Sequence, residues 1–487
     1  MRFRNFIASI GLVTLLSPAL ALAASANSFE VAAWIPYWRS LKGVDAITPH
    51  LDVFTEVNPF MYSVATDGSL HEASSLGQAE WTALRRAALF QNIKFIPTIM
   101  WSNADAMDTV FRDPALRAAH IRSIAAEVYK YQLDGIDIDY EAKYAKTKDY
   151  FSLFLKELHD AIGYDKWIEC TIEARTPLDS RYDSPESIPS DIAYANDFKE
   201  INKYCDRVRI MAYDQGRIDL KLNKANSDPY VAVADINWVR KVMELAAVDI
   251  DRSKLLIGVP TYGYEYDMFP SVNGDGTMSY SRLWSFNPGY ASDTAAALNI
   301  TPTRGSSGEP MLTFPASLST ESIPLPNATR VLVWDDAQAI QQKVDLALEL
   351  GLRGVAIFKV DGGQDPNMWN ALEPYKDKIV NQAVKAPDTT LAAESEGGRP
   401  LIAYVMPQND LEYGMHDTGV KTLQQFLNAN GYMVSASGAG SKGSETTYFG
   451  PATKKALAAF QQAAGVAPSV GYYGPKTRAF IARGYMQ

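Results

Sequence analysis

The stretch that most limits what this chain can fold into is residues 133–141, L-D-G-I-D-I-D-Y-E. Four acids in the eight residues from Asp134 to Glu141 would ordinarily mark a solvated loop, but Ile136, Ile138 and Tyr140 alternate with them. Strict period-two alternation predicts a β-strand, in which residues two apart share a face. Asp137, Asp139 and Glu141 therefore project to one side while Ile136, Ile138 and Tyr140 pack behind. Asp134 has the opposite parity and is placed to anchor the turn that enters the strand. Three carboxylates on one face cannot all ionise cheaply, because close like charges push at least one pKa up. Acids with separated pKa values are what acid-catalysed bond cleavage requires. A merely solvated strand end would not need the apolar face. A metal site finds no histidine here, since His50, His71, His120, His159 and His416 lie elsewhere and without ligand spacing.

A chain of 487 residues is long for one domain, and two or three are expected. Its net charge of −10 argues against nucleic acid as a partner, since nucleic-acid binders carry basic stripes. Residues 1–26 read as a secretory signal: Arg2 and Arg4 open it, an apolar core follows over 6–16, and small residues close it. The apolar core is short for a stable membrane span, with a retained anchor as the alternative to cleavage; no second apolar run approaches that length, so the mature protein is expected to be exported, and it is expected to be a monomer. Cys170 and Cys205 fall on or beside expected strands that would be neighbours; a disulfide formed after export and two buried thiols both fit the sequence.

From residue 29 onward, β-branched apolar segments alternate with helical ones. Strands are expected over 31–36, 53–62, 94–100, 135–140, 167–172, 207–213, 255–261 and 354–360, with helical periods between them, as at 114–131 and 147–162. Eight such repeats predict an α/β fold, a closed (β/α)8 TIM barrel over 27–380, whose sites lie at the C-terminal strand ends, where Glu141 falls. The connection between the seventh and eighth strands is too long for a single loop. Residues 264–330 are expected to form an inserted subdomain along one wall of the cleft, followed by a strand-like 329–334 and a helix over 337–350. Residues 381–400 are small, polar and acidic and read as a linker. Residues 401–487 then form a small all-α unit, with helices expected over 421–428, 451–462 and 475–483. This unit repeats a phrase, Tyr448-Phe449-Gly450-Pro451-x-Thr453 and Tyr472-Tyr473-Gly474-Pro475-x-Thr477. Each Gly-Pro makes a turn and puts proline at the first helical position, where its missing N–H costs nothing.

The run D-G-I-D-I-D-Y-E resembles the D-G-x-D-x-D-x-E signature that glycoside hydrolase family 18 carries at the end of its fourth barrel strand, and it matches at every marked position. M-A-Y-D, from Met211 to Asp214 at the end of the sixth strand, is similar to that family's M-x-Y-D element. The resemblance implies a barrel with an α+β insertion between strands 7 and 8 and a retaining, substrate-assisted glycosidase. It implies that Glu141 protonates the leaving glycosidic oxygen while the substrate's own 2-acetamido oxygen attacks the anomeric carbon. Asp139 would orient the acetamido N–H, with Asp137 behind it sharing a proton. Tyr213 would hold the acetamido oxygen near the anomeric carbon, Asp214 would support the same sugar, and Met211 would line the floor. No metal or cofactor is implied.

Sugars bind on aromatic faces, and aromatics gather at the expected strand ends. Trp34, Tyr37 and Trp38 close the first, Tyr62 the second, Trp101 the third and Tyr262 the seventh, and as a set they predict a saccharide cleft. Where many members of the family carry tryptophan on the eighth strand, this chain has Phe358, which stacks but lacks the indole N–H and much of the area. N-P-F-M-Y-S-V-A-T-D-G-S-L after the second strand and G-L-R-G-V-A-I-F-K-V at the eighth are similar to the cell-wall-lytic, spore-germination-type branch, whose members cleave after N-acetylglucosamine in peptidoglycan-type polymers. Through V-K-T-L-Q-Q-F-L-N, Y-F-G-P-A-T, A-L-A-A-F-Q and G-Y-Y-G-P-K-T the tail resembles the helical peptidoglycan-binding domain family. Its seven Lys/Arg against four Asp/Glu over 401–487 suit an anionic wall polymer. The expected protein is thus a secreted or wall-associated hydrolase acting on peptidoglycan. A chitinase or chitooligosaccharide hydrolase, and a non-catalytic wall-binding lectin, are the alternatives. Lectin-like members typically lose the terminal acid, which is kept here as Glu141.

Overall fold

The computed structural model describes residues 29–163, 166–271, 277–318, 327–375, 406–407, 409–435, 437–463, 466 and 469–484. The expected signal (1–26) and linker (381–400) lie outside them. The chain divides into two compact units between Val384 and Lys385.

In the first unit seven strands run in parallel: β1 (Glu30–Ile35), β2 (Glu56–Val64), β3 (Lys94–Phe95 and Thr98–Trp101), β4 (Gly135–Tyr140), β5 (Trp167–Glu173), β6 (Arg207–Met211) and β7 (Leu255–Pro260). An antiparallel five-stranded sheet is inserted next: β8 (Gly263–Pro270), β9 (Met278–Phe286), β10 (Thr303–Arg304), β11 (Pro310–Pro315) and β12 (Thr329–Trp334), in the order β9-β8-β12-β11-β10. The eighth parallel strand, β13 (Gly354–Phe358), then closes the ring between β7 and β1. The insertion is longer than its expected end at residue 330. Thr329–Trp334 pairs with both β8 and β11 and is therefore an interior strand of the inserted sheet.

Other boundaries moved for local reasons. The second strand starts at Glu56 because residues up to Val53 finish a 3-10 turn begun at Thr48-Pro49. The third is split because Pro97 has no N–H to give the ladder. The sixth stops at Met211, and Asp214 beyond it takes a left-handed backbone (φ 59°).

Helices between the strands cover the outside of the barrel. In α1 (Pro114–Lys130) proline occupies the first turn, and the Asp113 carboxylate accepts from the N–H groups of Ala115 and Leu116. α2 (Lys148–Ile162) ends where Gly163 turns to φ 78°. α3 (Pro288–Leu298) belongs to the insertion, and α4 (Ala337–Glu349) leads back to β13. The apolar parity of β4 is directed at these helices: Ile136, Ile138 and Tyr140 pack with Ile121 and Ile124 of α1 and Phe154 and Leu158 of α2. Each such side chain contributes about 1.5–3 kcal/mol on burial. Tyr140 Oη lies 2.7 Å from His120 Nε2, and His120 Nδ1 lies 2.6 Å from the Gly68 carbonyl. A carbonyl can only accept, so Nδ1 carries the hydrogen and Nε2 accepts from Tyr140. Burial lowers His120 to about 4, against the effect of the Gly68 bond, and keeps this ring neutral.

Inside the barrel the layers are partly charged. Arg209 is fully buried; its guanidinium bonds Glu56 at 2.7 Å and also Glu169, and lies 3.2 Å from Asp137. Burial and the charge of Glu56 push Glu169 well above the ordinary carboxylate range despite Arg209. Burial also opposes ionisation of Glu56, but Arg209 and the hydrogen bond with Glu169 outweigh it and hold Glu56 below its usual value. Glu56 is thus the one held toward its charged form and Glu169 the one held toward its neutral form. On the opposite face of β5 Cys170 forms a disulfide with Cys205, the bonded form of the two that the sequence left open. Among the described residues no helix is long and apolar enough to cross a membrane.

Among its described residues the second unit has three helices, α5 (Thr418–Ala429), α6 (Pro451–Ala463) and α7 (Pro475–Gly484), around Leu423, Phe426, Leu427, Leu457, Phe460 and Tyr473. Its repeated phrase has a mechanical cause. Gln424 on α5 donates to the Tyr448 carbonyl and the Thr453 hydroxyl, at 3.0 and 2.8 Å. Gln461 on α6 does the same to Tyr472 and Thr477, at 2.6 and 2.9 Å. Each buried amide ties a Gly-Pro turn to the helix before it.

Candidate active site

The acids of β4 rise in layers toward the C-terminal mouth of the barrel. Asp137 is deepest. Its Oδ2 accepts from Trp34 Nε1 (2.9 Å) and Thr98 Oγ1 (2.8 Å), and its Oδ1 from Thr171 Oγ1 (2.8 Å), with Arg209 beside it. Both oxygens are therefore occupied by donors from neighbouring strands, which fixes Asp137 in place behind Asp139. Asp139 is buried one layer up, and its Oδ1 has no hydrogen-bond partner among the described residues. Burial, Glu141 and Asp137 push Asp139 well above the ordinary range. Glu141 follows at the strand end, half-buried; burial, then Glu173 and Asp214, raise it, against the pull of Lys143. Asp139 and Glu141 are near enough that their titrations belong to the set. Asp134, at the strand's foot, accepts from the Phe95 N–H at 2.8 Å and so anchors β4 to β3.

The end of β6 supplies the other half of the site. Burial, Asp139 and Asp214 raise the Tyr213 phenol far above its usual value, so it remains a donor. Gly258 on β7 allows Tyr213 its position: a Cβ there would lie 2.9 Å from Tyr213 Cε1 and 2.5 Å from the Ile210 carbonyl. Asp214 accepts from the hydroxyls of Tyr262 (2.5 Å) and Tyr264 (2.8 Å). Met211 is partly buried and shares its face of β6 with Arg209, toward the interior. Phe358 lies among these groups. Its ring stacks on Tyr213 (5.5 Å, 16°) and meets Trp34, Phe60 and Tyr262 edge-on at 6.0, 6.1 and 6.0 Å.

The expected aromatic set divides. Tyr37 and Trp38 are exposed at the mouth, 37% and 51%, with rings 5.1 Å apart, and Trp38 lies 6.3 Å from Phe60. Trp34 is 1% exposed and holds Asp137 from below, so it faces no sugar. Tyr62 and Trp101 are corrections: both point outward into the packing between barrel and helices. Tyr62 donates to Glu127 of α1 at 3.0 Å, and Trp101 packs against Phe111, His120 and Tyr140. The cause for Tyr62 is a register shift between Phe60 and Tyr62, which turns Phe60 inward and Tyr62 out. For Trp101 it is parity, because Thr98 faces Asp137 and Trp101 is three residues on. Trp101→Phe is accordingly expected to lower unfolding stability by about 1–3 kcal/mol and to leave KM for a glycan unchanged; a selective rise in KM would return Trp101 to the cleft.

Four site residues had no place in the sequence reading: Phe60, Tyr264, Lys143 and Glu173. Glu173 was findable, since W-I-E-C-T-I-E puts Glu169, Thr171 and Glu173 on one face of β5. Tyr264 continues the Tyr262 parity into β8. Nothing in the local sequence marks Lys143.

Comparison with known proteins places this geometry. The family model described as "Glycosyl hydrolases family 18" matches residues 43–363, and a peptidoglycan binding domain model matches residues 416–481. The chain is 22% identical over 337 residues to the Bacillus subtilis (strain 168) "Uncharacterized glycosylase YvbX", covering 67% of this chain and 88% of that one. It is 22% identical over 347 residues to the Bacillus cereus "Cortical fragment-lytic enzyme", covering 69% and 71%. The fold matches the crystal structure of the Bacillus cereus spore cortex-lytic enzyme SleL with a TM-score of 0.56 at 20% identity, over 73% of this chain and 76% of that one.

Proposed function

The chain belongs to glycosyl hydrolases family 18, and from that premise we propose that it hydrolyses β-1,4 bonds following N-acetylglucosamine in peptidoglycan, with retention and outside the cytoplasmic membrane. The observation that carries the mechanism is Asp139 Oδ1, a buried acceptor without a partner among the described residues, next to a protonated tyrosine and a raised glutamate. An acceptor and a donor side by side match the N–H and C=O of a 2-acetamido group. Asp139 takes the N–H, Tyr213 donates to the oxygen, and that oxygen attacks the anomeric carbon as Glu141 protonates the departing glycosidic oxygen. Water then opens the oxazolinium ring, with Glu141 now ionised and acting as base. Orientation of a nucleophile already attached to the substrate supplies much of the acceleration. Two inversions at one carbon give retention.

Support for peptidoglycan comes from the fused second unit and from relatives named as cortical fragment-lytic enzymes. A tethered wall-binding unit raises the local concentration of substrate around the barrel. Export rests on residues 1–26. Asp139→Asn, which keeps an acceptor oxygen but cannot carry the negative charge that stabilises the cationic oxazolinium, is expected to lower kcat by about 10²-fold with KM changed less than threefold. Unchanged turnover would remove Asp139 from this role. The substrate is tested by digesting purified peptidoglycan and chitooligosaccharides with the full chain, reducing the products with borohydride and identifying the new ends by mass spectrometry. Reduced N-acetylglucosamine ends from peptidoglycan support the proposal. Cleavage confined to chitooligosaccharides makes the protein a chitinase, and no cleavage of either favours a wall-binding lectin.

A further inference from the structure

Two charged side chains beside Glu141 take no part in the steps above. We propose that Lys143 and Glu173 are opposed positioning charges for the acid: Glu173 holds its backbone and disfavours its ionisation, and Lys143 limits that effect. This rests on the reading of Glu141 as general acid.

The chain leaves β4 at Tyr140, and the Glu141 N–H is fixed to the Trp101 carbonyl at 2.8 Å. Ala142 then adopts φ 57°, a left-handed conformation uncommon for a residue with a Cβ. The turn folds Lys143 back against the barrel. Its side chain is 0% exposed, donates Nζ to the Tyr140 carbonyl, lies 3.9 Å from Glu173 Oε2 and sits 4.5 Å from the centre of the Phe151 ring. Glu173, the last residue of β5, accepts from the Ala142 N–H at 2.7 Å and from Asn196 Nδ2 at 2.8 Å. One carboxylate thus grips the residue that follows the acid, and register brings the two acids together, since Asp139 pairs with Thr171 two residues earlier on each strand.

A methionine would fill the volume of Lys143 without the cost of burying an ammonium. The charge therefore acts on what it faces, which is Glu173, Asp139 and Glu141. Glu141 in turn faces Glu173 from β5, Asp214 from beyond β6, Asp139 on its own strand, and Lys143. Burial alone would raise Glu173, but Lys143 and the bonds from Ala142 and Asn196 hold it below its usual range, so it is a standing negative charge. That charge adds to burial in keeping the proton on Glu141, while Lys143 works the other way.

The test is the alkaline limb of kcat/KM for chitotetraose, measured with the full chain, because that limb reports loss of the acid's proton. Glu173→Gln keeps an oxygen for Ala142 and removes the charge; its limb is expected to move about one pH unit down. Lys143→Met is expected to move the limb up by a similar amount, and the double variant to return near the wild-type position. Glu173→Asp restores the charge and is expected to recover most of the limb. If Lys143→Met does not fold, Lys143→Gln, which retains a donor for Tyr140, replaces it. Limbs that stay in place, or both move the same way, overturn the inference and leave the pair a purely structural clamp. Glu141→Gln run alongside separates the two levels. If it is inactive while the limbs do not oppose, the inference alone fails; if it retains turnover, Glu141 is not the acid and the reading beneath falls.

Discussion

Replacing Glu141 with Gln is expected to cut kcat on peptidoglycan or a chitooligosaccharide by about 10²–10⁴-fold, with KM nearly unchanged. Glutamine keeps the size and one acceptor of the side chain but has no proton to give to a sugar leaving group. The wild-type acid suits this task because burial, Glu173 and Asp214 raise it above the ordinary range. A raised acid is the competent, protonated form below its folded pKa and loses competence as pH rises through it, so wild-type activity falls on the alkaline side. The variant should show a smaller loss on an aryl glycoside, whose phenol leaves with little help. Steady-state kinetics on both substrates checks this. An equal loss of kcat/KM, which reports the first displacement alone, on both would mean that Glu141 does not protonate the leaving oxygen, and retention of more than a tenth of the activity on the oligosaccharide would remove it from the mechanism.

Arg209→Met is expected to cost about 3–5 kcal/mol of unfolding free energy at neutral pH. The guanidinium lies among Glu56, Glu169 and Asp137 at zero exposure, and methionine leaves these acids buried without their cation. The pH dependence has a definite sign. Glu56 is held below its usual value in the folded wild type, so its pairing stabilises the fold above the unfolded glutamate pKa and is lost as pH falls through the folded one. The deficit of the variant should therefore be full at about pH 7 and shrink only below the ordinary glutamate value of 4.5, toward about pH 3. Urea unfolding at the two ends of that range measures it. A deficit under 1 kcal/mol at neutral pH would show that water, not Arg209, compensates these acids. Because Arg209 also stands beside Asp137, which holds Trp34 and Thr98 beneath Asp139, the interior charge cluster and the site form one continuous support.

The acidic face of β4 was legible because alternating residues state their own facing. Tyr213 and Asp214 were noticed through the M-A-Y-D phrase and not through parity, since they lie beyond the end of β6 and Asp214 has a left-handed backbone. Trp101 was misplaced because in I-P-T-I-M-W only Thr98 is polar, and a single polar residue states no alternation. Tyr62 was misplaced because a bulge between Phe60 and Tyr62 changes the facing of every residue after it, and such a bulge leaves no mark in N-P-F-M-Y. Lys143 was invisible for a different reason. Its position depends on a left-handed alanine, a conformation that local propensity argues against and that the surrounding hydrogen bonds impose. The insertion was seen as a gap in the strand rhythm, but its last strand is assigned by partners on β8 and β11, which sequence order does not show.

The central claim is that the substrate's acetamido oxygen is the nucleophile, held by Asp139 and Tyr213. It is tested most directly with aryl chitobiosides whose reacting N-acetyl group carries zero, one, two or three fluorines. Each fluorine weakens the amide oxygen as a nucleophile while changing its size little. A steep, regular fall of kcat/KM across the series is the predicted result. A flat series would contradict the claim and require an enzyme carboxylate, or a water, to make the first attack.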